Sequence, residues 1–257
     1  MSDFTPAPER QKQILSRLNR QGSLSVTEIV RQFSVSQATA RRDLESLAAS
    51  GKAQRVHGGA IAAEQAPPEL PILQRENQQS QDKRRIGRVA AALVAEGATV
   101  FLGSGTTVLE VARNLRKRQS LTVITNSLPV LNTLAGIRGI TVICLGGMLR
   151  RTELSFIGHI TEMALSEVHA DRVIIGARAI SLDQGLTNDY LPETMTDRAI
   201  LKIAPEVVIT ADHSKVNRVS SALLAPLSQI HTLVTDRKTA RDFVSALRKR
   251  DIRVLLA

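Results

Sequence analysis

The sequence predicts a winged helix-turn-helix domain followed by an α/β domain whose largely parallel sheet carries helices on both faces. The first sixty residues contain three helical segments and a short basic hairpin, which is the arrangement of a winged helix-turn-helix. Further along, apolar runs of strand length alternate with amphipathic helical segments, as in sheets built from crossover connections. The predicted boundaries are 1–61 for the first domain, 62–80 for a linker and 81–257 for the second domain.

The helices of the first domain have recognisable start and stop signals. Apolar residues at helical spacing mark the first helix, at Ile14, Leu15 and Leu18. Ser25 and Glu28 form a capping box that opens the second helix. Ser36 is placed to cap the third helix and Gly51 to end it, and the basic segment that follows is expected to form the wing.

The third helix has one apolar stripe and one face suited to a DNA groove. The stripe consists of Ala40, Leu44, Leu47 and Ala48. We expect major-groove contacts from Ser36, Gln37, Thr39, Arg41 and Arg42. In the wing, Arg55 and His57 are expected to reach the DNA backbone or minor groove, although His57 is equally well explained as a structural residue of the turn. Asp43 is expected to be an internal partner that orients one of the arginines.

The composition restricts the partners and the location of the chain. The 257 residues carry a formal charge of +10, which suits a polyanionic partner. Residues 1–60 hold nine Lys and Arg against five Asp and Glu, so motif spacing indicates DNA binding more strongly than basicity does. Aromatic residues make up only 2% of the chain, and stacking on single-stranded nucleic acid is therefore not expected. No apolar stretch reaches the ~20 residues that span a bilayer, so we expect a cytoplasmic protein without a membrane partner.

Residues 62–80 interrupt the periodicity. They hold three prolines and end in a run rich in Gln and Asn, which predicts a linker. A helix then begins near Asp82. The cations of this helix are Lys83, Arg84, Arg85 and Arg88. They form either a second DNA contact or an ordinary solvated face.

The second domain is predicted to alternate strands and helices. The strands are Thr99–Leu102, Leu121–Thr125, Thr141–Leu145, Arg172–Gly176, Val207–Thr210, Thr232–Thr235 and Ile252–Leu255. The helices between them are Thr106–Leu115, Leu128–Leu134, Ile157–Val168, Glu193–Ile203 and Ala240–Arg248. The one cysteine, Cys144, lies in an apolar run and is expected to be a small buried residue.

Small and polar residues follow several of these strands. The turn Ser104-Gly105-Thr106-Thr107 leads directly from a strand into a helix, and its backbone N–H groups and hydroxyls are suited to hold a phosphate. Other turns at strand ends or before a helix contribute Asn126, Gly147, Arg150, Thr187 and Glu193. Because ligands of parallel sheets bind beyond the carboxyl ends of the strands, these turns together predict one pocket.

Two groups of motifs resemble the DeoR-type family of bacterial sugar-metabolism repressors. The first domain matches the head of that family at Val35, Ser36, Thr39, Arg41, Arg42, Asp43, Leu44, Leu47, Gly51, Arg55, His57, Gly58, Gly59 and Ala60. The second domain resembles the family's effector domain in Gly105-Thr106-Thr107, Thr125-Asn126-Ser127, Leu145-Gly146-Gly147, Gly185-Leu186-Thr187 and Ala211-Asp212-His213-Ser214-Lys215. The resemblance implies that this domain is similar in fold to ribose-5-phosphate isomerase.

By this resemblance the chain is a transcriptional repressor of a carbohydrate-utilisation operon, released from double-stranded operator DNA when a phosphorylated sugar or related metabolite binds the second domain. The implied effector site consists of Ser104, Gly105, Thr106, Thr107, Asn126, Gly147, Arg150, Arg178, Thr187, Glu193 and Lys215. No cofactor and no metal are expected. A homo-oligomer, either a dimer or a tetramer, is expected to form through the α/β domain, since one winged helix covers few base pairs.

Three positions in the presumed pocket depart from the family pattern. Gly103 stands where Asp is common, Arg178-Ala179 replaces a pair that usually ends in Gly, and Asp197 stands where Lys is frequent. Proton transfer between sugar carbons needs a positioned carboxylate and usually a cation, so these departures argue against catalysis. Arg178 is a candidate to supply the cation that is missing at Asp197. The alternatives to a repressor are an isomerase-class enzyme with an accessory N-terminal domain and a head that binds protein.

Overall fold

A computed structural model describes residues 5–21, 23–49, 52–56, 58–62, 64–65 and 70–257. The chain forms two compact units. The first comprises the residues up to Gln65 together with Asn217–Val219, and the second comprises the others. Gly51, the predicted helix end, and His57 of the wing lie outside the described residues. Among the residues that are described, no helix combines the length and the apolar character needed to cross a bilayer.

Three helices and a small antiparallel sheet build the first unit. The helices are α1 (Ala7–Gln21), α2 (Val26–Phe33) and α3 (Gln37–Ala49), and the strands are β1 (Ser23–Ser25), β2 (Ala53–Val56), β3 (Gly59–Ala62) and β4 (Glu64–Gln65). Strands β1, β3 and β2 pair in that order, with β2 and β3 as the hairpin of the wing. The predicted winged helix-turn-helix is confirmed.

Both predicted helix caps are present. The Ser25 hydroxyl accepts a hydrogen bond from the Glu28 N–H at 3.2 Å, and the Glu28 carboxylate accepts one from the Ser25 N–H at 2.7 Å. The Ser36 hydroxyl accepts from the Thr39 N–H at 3.1 Å. The caps place the apolar faces of the helices in one core, formed by Ile14, Leu18, Leu24, Val26, Ile29, Phe33, Ala40, Leu44, Leu47, Ala53 and Ala60.

A buried ion pair joins the first and third helices. The Arg10 guanidinium donates to both oxygens of Asp43, with Nε–Oδ2 at 2.6 Å and Nη2–Oδ1 at 3.2 Å, and each side chain is only 4% exposed. The Gln11 amide adds a hydrogen bond to Oδ1 at 3.1 Å. Asp43 is thus an internal partner as predicted. The arginine that it orients is Arg10 of α1, which is not one of the residues predicted to contact DNA.

From residue 70 onward the chain is described without gaps and alternates helices with strands. The helices are α4 (Ile72–Arg75), α5 (Ser80–Ala91), α6 (Thr106–Leu115), α7 (Leu128–Leu134), α8 (His159–Ser166), α9 (Leu191–Ile200) and α10 (Arg241–Arg248). The strands are β5 (Thr99–Leu102), β6 (Leu121–Thr125), β7 (Ile140–Cys144), β8 (Met148–Arg150), β9 (Ser155–Ile157), β10 (Arg172–Gly176), β11 (Ala179–Ser181), β12 (Gly185–Asn188), β13 (Glu206–Thr210), β14 (Arg218–Val219), β15 (Ala222–Ala225), β16 (Thr232–Thr235) and β17 (Arg253–Leu256).

Seven of these strands form one parallel sheet in the order β17, β16, β13, β10, β5, β6, β7. Separate apolar cores lie on its two faces, which confirms the predicted parallel α/β fold. The order runs outward in one direction from β5 and in the other from β10, so the connections change direction between these two strands. Such a switch point leaves a crevice at the carboxyl ends of the strands.

Three features of the second unit differ from the sequence-based expectations. A hairpin of β8 and β9 and an antiparallel sheet of β11, β12 and β15 were not predicted. Cys144 is exposed on β7, which is an edge strand, so the prediction of a buried cysteine is wrong. Part of the predicted linker belongs to the second unit, because Ile72 is buried and Arg75 forms an ion pair with Glu153.

Candidate functional site

The recognition helix presents its predicted residues to solvent. Ser36, Gln37, Arg41 and Arg42 are exposed and Thr39 is half-buried. The hydroxyls of Ser36 and Thr39 lie 2.9 Å apart and form a hydrogen bond. The inward positions of the same helix are occupied by Ala40, Asp43 and Leu44. The exposed residues of α3, which are predicted to contact DNA, and its buried residues therefore occupy different positions around the helix.

The wing is fastened to this helix by Arg55 of β2. Its Nη1 atom donates to the Arg41 carbonyl oxygen and to the Glu45 carboxylate, each at 3.3 Å. The contact places the cationic group of the wing beside the cationic face of α3. The structure thus brings together the described members of the predicted DNA-binding set, and their contacts with DNA remain a prediction.

Two adjoining cavities lie at the switch point of the parallel sheet. Each has a volume of about 490 Å³ that includes space open to solvent. The first is lined by Arg75, Gln78, Gln79, Lys83, Gly105, Thr106, Thr107, Gly176, Ala177, Thr210, Ala211, Asp212, Ser214 and Lys215. The second is lined by Arg75, Ser104, Gly105, Glu153, Ile175, Gly176, Ala177, Arg178, Asn188, Glu193 and Asp197. Arg75 and three small residues are common to both, so the cavities form one elongated pocket.

The first cavity combines a helix N-terminus with cationic side chains. Gly105 precedes α6 with φ at +107°, a conformation that favours glycine, and no side chain caps the helix there. Thr106 and Thr107, in the first turn of this helix, line the cavity together with Lys83 and Lys215. This arrangement is suited to an anion such as a phosphate group.

Lys83 is the least expected member of this site. It is buried in the first turns of α5, and its Nζ donates to the Arg75 carbonyl oxygen at 2.8 Å. Burial lowers the pKa of its amine to about 8. Neither predicted alternative holds for Lys83, because it is neither on a solvated face nor available to DNA. Arg84 and Arg88 do lie on the exposed face of the helix.

The second cavity is walled by paired charges. Arg75 pairs with Glu153, and Arg178 donates from Nε to Asp189 at 2.9 Å. Glu193, in the first turn of α9, forms an ion pair with the guanidinium of Arg150. These pairs hold both signs of charge at the wall of one small space.

Asp197 lies one helical turn beyond Glu193 and differs from its neighbours. Its Oδ2 accepts a hydrogen bond from the Asn188 side chain at 2.8 Å. Desolvation raises the pKa of its carboxyl to about 6, although the Asn188 hydrogen bond and the charge of Arg150 oppose the rise. Gly103, the other departure noted in the sequence, lies against β10, where an added Cβ would meet Ile175 Cγ2 at 2.8 Å.

Seven of the eleven predicted effector residues line the pocket, namely Ser104, Gly105, Thr106, Thr107, Arg178, Glu193 and Lys215. Arg150 stands behind Glu193 as its ion-pair partner. Asn126 is buried and donates to the Phe156 carbonyl oxygen at 2.9 Å, and Thr187 accepts from the Ser220 N–H at 2.8 Å.

Gly147 does not line either cavity, and a close packing contact explains why this position holds a glycine. A Cβ at this position would lie 2.1 Å from Thr161 Oγ1. Gly147 and Asn126 follow β7 and β6, which extend from β5 away from the switch point. Charged and polar residues that line the pocket and that the sequence analysis did not assign to it include Arg75, Lys83, Glu153 and Asn188. Asp197, which the sequence analysis did place in the presumed pocket, lines the second cavity.

One further cluster has the spacing of a metal site. Ligand atoms of Asp82, His213 and Asp236 lie within 4.8 Å of one another. Lys238 Nζ contacts Asp82 Oδ2 at 2.9 Å, and this hydrogen bond is the main reason why the pKa of that carboxyl is lowered. His213 Nδ1 lies 3.0 Å from Asp236. The carboxylates are thus engaged by protein groups, and the cluster fastens the turn that holds Lys215 to α5.

Comparison with known proteins identifies both parts of the chain. Residues 10–66 match the DeoR-like helix-turn-helix domain, and residues 78–237 match the DeoR C-terminal sensor domain. The transcriptional repressor AccR of Agrobacterium fabrum is 33% identical, over 92% of this chain and 92% of its own length. The lactose phosphotransferase system repressor of Streptococcus mutans is 35% identical, over 89% and 91% of the two chains.

A third relative and one solved structure complete the comparison. The glycerol-3-phosphate regulon repressor of Escherichia coli K12 is 34% identical, over 89% of this chain and 90% of its own length. Ribose 5-phosphate isomerase A from Methanocaldococcus jannaschii aligns with a TM-score of 0.41 at 19% identity, over 54% of this chain and 55% of that chain. One unit carries the exposed face of α3, the other carries the pocket, and the two family models match both parts of the chain. The chain therefore belongs to the DeoR family of transcriptional regulators.

Proposed function

We propose that this chain represses a carbohydrate-utilisation operon and leaves its operator when a phosphorylated sugar or a related metabolite binds the second unit. The observation that carries the proposal is the pocket at the switch point, which has a cationic end at Lys83 and Lys215 and a polar end at Glu193. One end suits a phosphate and the other suits hydroxyl groups. A regulator of operator DNA works in the cytoplasm, and we place this protein there.

Operator binding with a ligand panel tests this function. Labelled DNA from the region upstream of the protein's own gene cluster is titrated by fluorescence anisotropy, at several salt concentrations, with and without sugar phosphates. We expect tight, salt-sensitive binding that at least one sugar phosphate abolishes. Binding without sequence preference at every salt concentration would contradict the repressor, and the same panel would then be assayed for isomerase turnover.

In the DNA-binding unit, replacing Arg42 by Ala is expected to weaken operator binding by about tenfold or more. A phosphate contact would also reduce the slope of log K against log salt by about 1, whereas a base contact would relax specificity at one position. Anisotropy at four salt concentrations separates these cases. Lys117→Ala, which removes an exposed cation from the second unit, is the matched control. Wild-type affinity in both Arg41→Ala and Arg42→Ala would contradict the proposed reading face.

The chain offers a covalent route between the effector pocket and the first unit. The turn that lines the first cavity ends at Lys215, and Asn217–Val219 belongs to the first unit. There β14 pairs in parallel with β4, the strand that follows the wing. We infer that a ligand which rearranges the turn changes this pairing. An effector acts in this way only if it binds the two arrangements with different affinity.

We also propose that copies of the chain assemble through the second unit. Helices α8 and α9 pack together and expose large apolar side chains, namely Ile160, Met163, Leu191 and Met195. Light scattering is expected to give a mass that is a multiple of 27.9 kDa, and Ile160→Lys with Met195→Lys is expected to reduce it. Leu256→Lys, at another exposed apolar residue on β17, is the control. A monomeric wild type, or an unchanged mass in the double variant, would contradict the proposal.

A further inference from the structure

One carboxylate in the effector pocket lacks a cationic partner. Among the charged side chains that line the second cavity, Arg75 and Glu153 pair with each other, Arg178 pairs with Asp189, and Glu193 pairs with Arg150. In the continuously described part of the chain, Asp197 receives one hydrogen bond, from Asn188, and forms no ion pair. The charge of Arg150 acts on this carboxylate, but Arg150 itself is paired with Glu193. A cationic group on a ligand could therefore still form an ion pair with Asp197.

The free-energy cost of keeping the desolvated Asp197 carboxylate ionised indicates what kind of ligand group would stabilise it. Desolvation raises the pKa of the Asp197 carboxyl to about 6, so at neutral pH it is mostly ionised in a site that disfavours the charge. A neutral hydroxyl can donate one hydrogen bond to such a group. An ammonium donates such a bond and also brings a positive charge that offsets the charge of the carboxylate.

The position of Asp197 fixes where on the ligand such a group would lie. The anion-binding turn at Gly105 and Thr106 and the amines of Lys83 and Lys215 define one end of the elongated pocket. Asp197 lines only the second cavity. A ligand whose phosphate occupies the first cavity would therefore direct the opposite end of its carbon skeleton toward this carboxylate.

We propose that Asp197 selects an effector that carries an amino group away from its phosphate, so that the effector is an amino sugar phosphate. This inference rests on the proposed phosphate-sensing function and adds the chemical class of the ligand. Asp197 is the specificity-determining residue, and Asn188 holds its carboxylate in place.

Calorimetric titration of the full-length protein with matched ligand pairs tests the inference. The pairs are glucosamine 6-phosphate with glucose 6-phosphate and galactosamine 6-phosphate with galactose 6-phosphate, and inorganic phosphate reports on the first cavity alone. In at least one pair the amino compound is expected to bind about tenfold or more tightly, because only the amino compound brings a positive charge to the Asp197 carboxylate. Asp197→Asn is expected to bring this ratio to about 1, and Asp197→Glu to retain a preference for the amine.

The outcomes separate this inference from the proposed function. Sugar phosphates that bind without preference for the amine would overturn the role of Asp197 and leave the phosphate-sensing function intact. A preference that persists in Asp197→Asn would also overturn it. If neither the sugar phosphates nor inorganic phosphate bind the wild type, the proposed function and this inference both fail. The absence of an amine preference in the wild type overturns the inference even if the Asn variant does not fold.

Discussion

Replacing Asp43 by Ala is expected to destabilise the DNA-binding unit by about 3–5 kcal/mol, the usual cost of removing one partner of a buried ion pair. The variant would leave the Arg10 guanidinium, which is 4% exposed, without its two carboxylate acceptors. A unit of about sixty residues has a stability of only a few kcal/mol. We therefore expect operator binding to be lost at 37 °C while the second unit still binds its ligand.

Thermal unfolding followed by circular dichroism, with limited proteolysis to report on the first unit, measures this effect. Glu45→Ala is the matched control, because that carboxylate is on the same helix but 63% exposed and pairs with Arg55 at 3.3 Å. A double variant, Arg10→Met with Asp43→Leu, is expected to recover most of the lost stability, since apolar residues can replace a buried pair. Equal unfolding temperatures for Asp43→Ala and Glu45→Ala would show that the pair is not required.

Replacing Lys83 by Met is expected to reduce the affinity for a phosphate-bearing effector roughly 100-fold, corresponding to about 2–3 kcal/mol for a hydrogen bond to a charged group. The free protein holds the pKa of this amine at about 8 because it is buried. A bound phosphate favours the ammonium, so affinity should fall as the pH rises above 8. Phosphate monoesters keep the same charge in this range, because their second pKa is near 6.

Titration calorimetry between pH 7 and pH 9.5, in buffers that differ in ionisation enthalpy, detects both the loss of affinity and the proton taken up by the amine. Lys83→Arg is expected to bind with little pH dependence, since a guanidinium stays charged. Arg84→Ala removes a neighbouring cation from the exposed face of α5 and is the matched control. Equal losses in Lys83→Met and Arg84→Ala would exclude a direct phosphate contact.

The same pKa shift has a consequence for the unliganded protein. Between pH 8 and about pH 10.4, the unfolded chain retains a proton on Lys83 that the folded chain has released. Folding stability should therefore rise with pH across this window, and Lys83→Met should not show that rise. Chemical denaturation at three pH values would measure the difference, and identical pH profiles would count against the lowered pKa.

The parts of the molecule that the sequence predicted are those set by neighbouring residues. The capping box at Ser25 and the N-cap at Ser36 depend on contacts three residues apart, and both could be identified without any knowledge of the fold. The turn Ser104–Thr107 is likewise continuous in sequence, and it lines the pocket at the switch point.

The parts that could not be predicted depend on the order of the strands. The sequence indicates where strands end but not which ends adjoin the switch point, so Asn126 and Gly147 were placed in a pocket that they do not line. Lys83 has the sequence context of a surface cation, and only the packing of α5 against the sheet makes it a pocket residue. The pairing of Arg75 with Glu153 joins residues far apart in the chain.

The division of α3 into an inward and an outward side bears on how such regulators diversify. The inward positions, including Asp43, determine whether the head folds, and the outward positions Gln37, Arg41 and Arg42 make no contribution to its core. If the outward residues contact the operator as proposed, substitutions there would change the preferred operator at little cost in stability. A duplicated gene could acquire new target promoters by this route while it keeps its metabolite, and the recognition helix can be exchanged in the laboratory on the same basis.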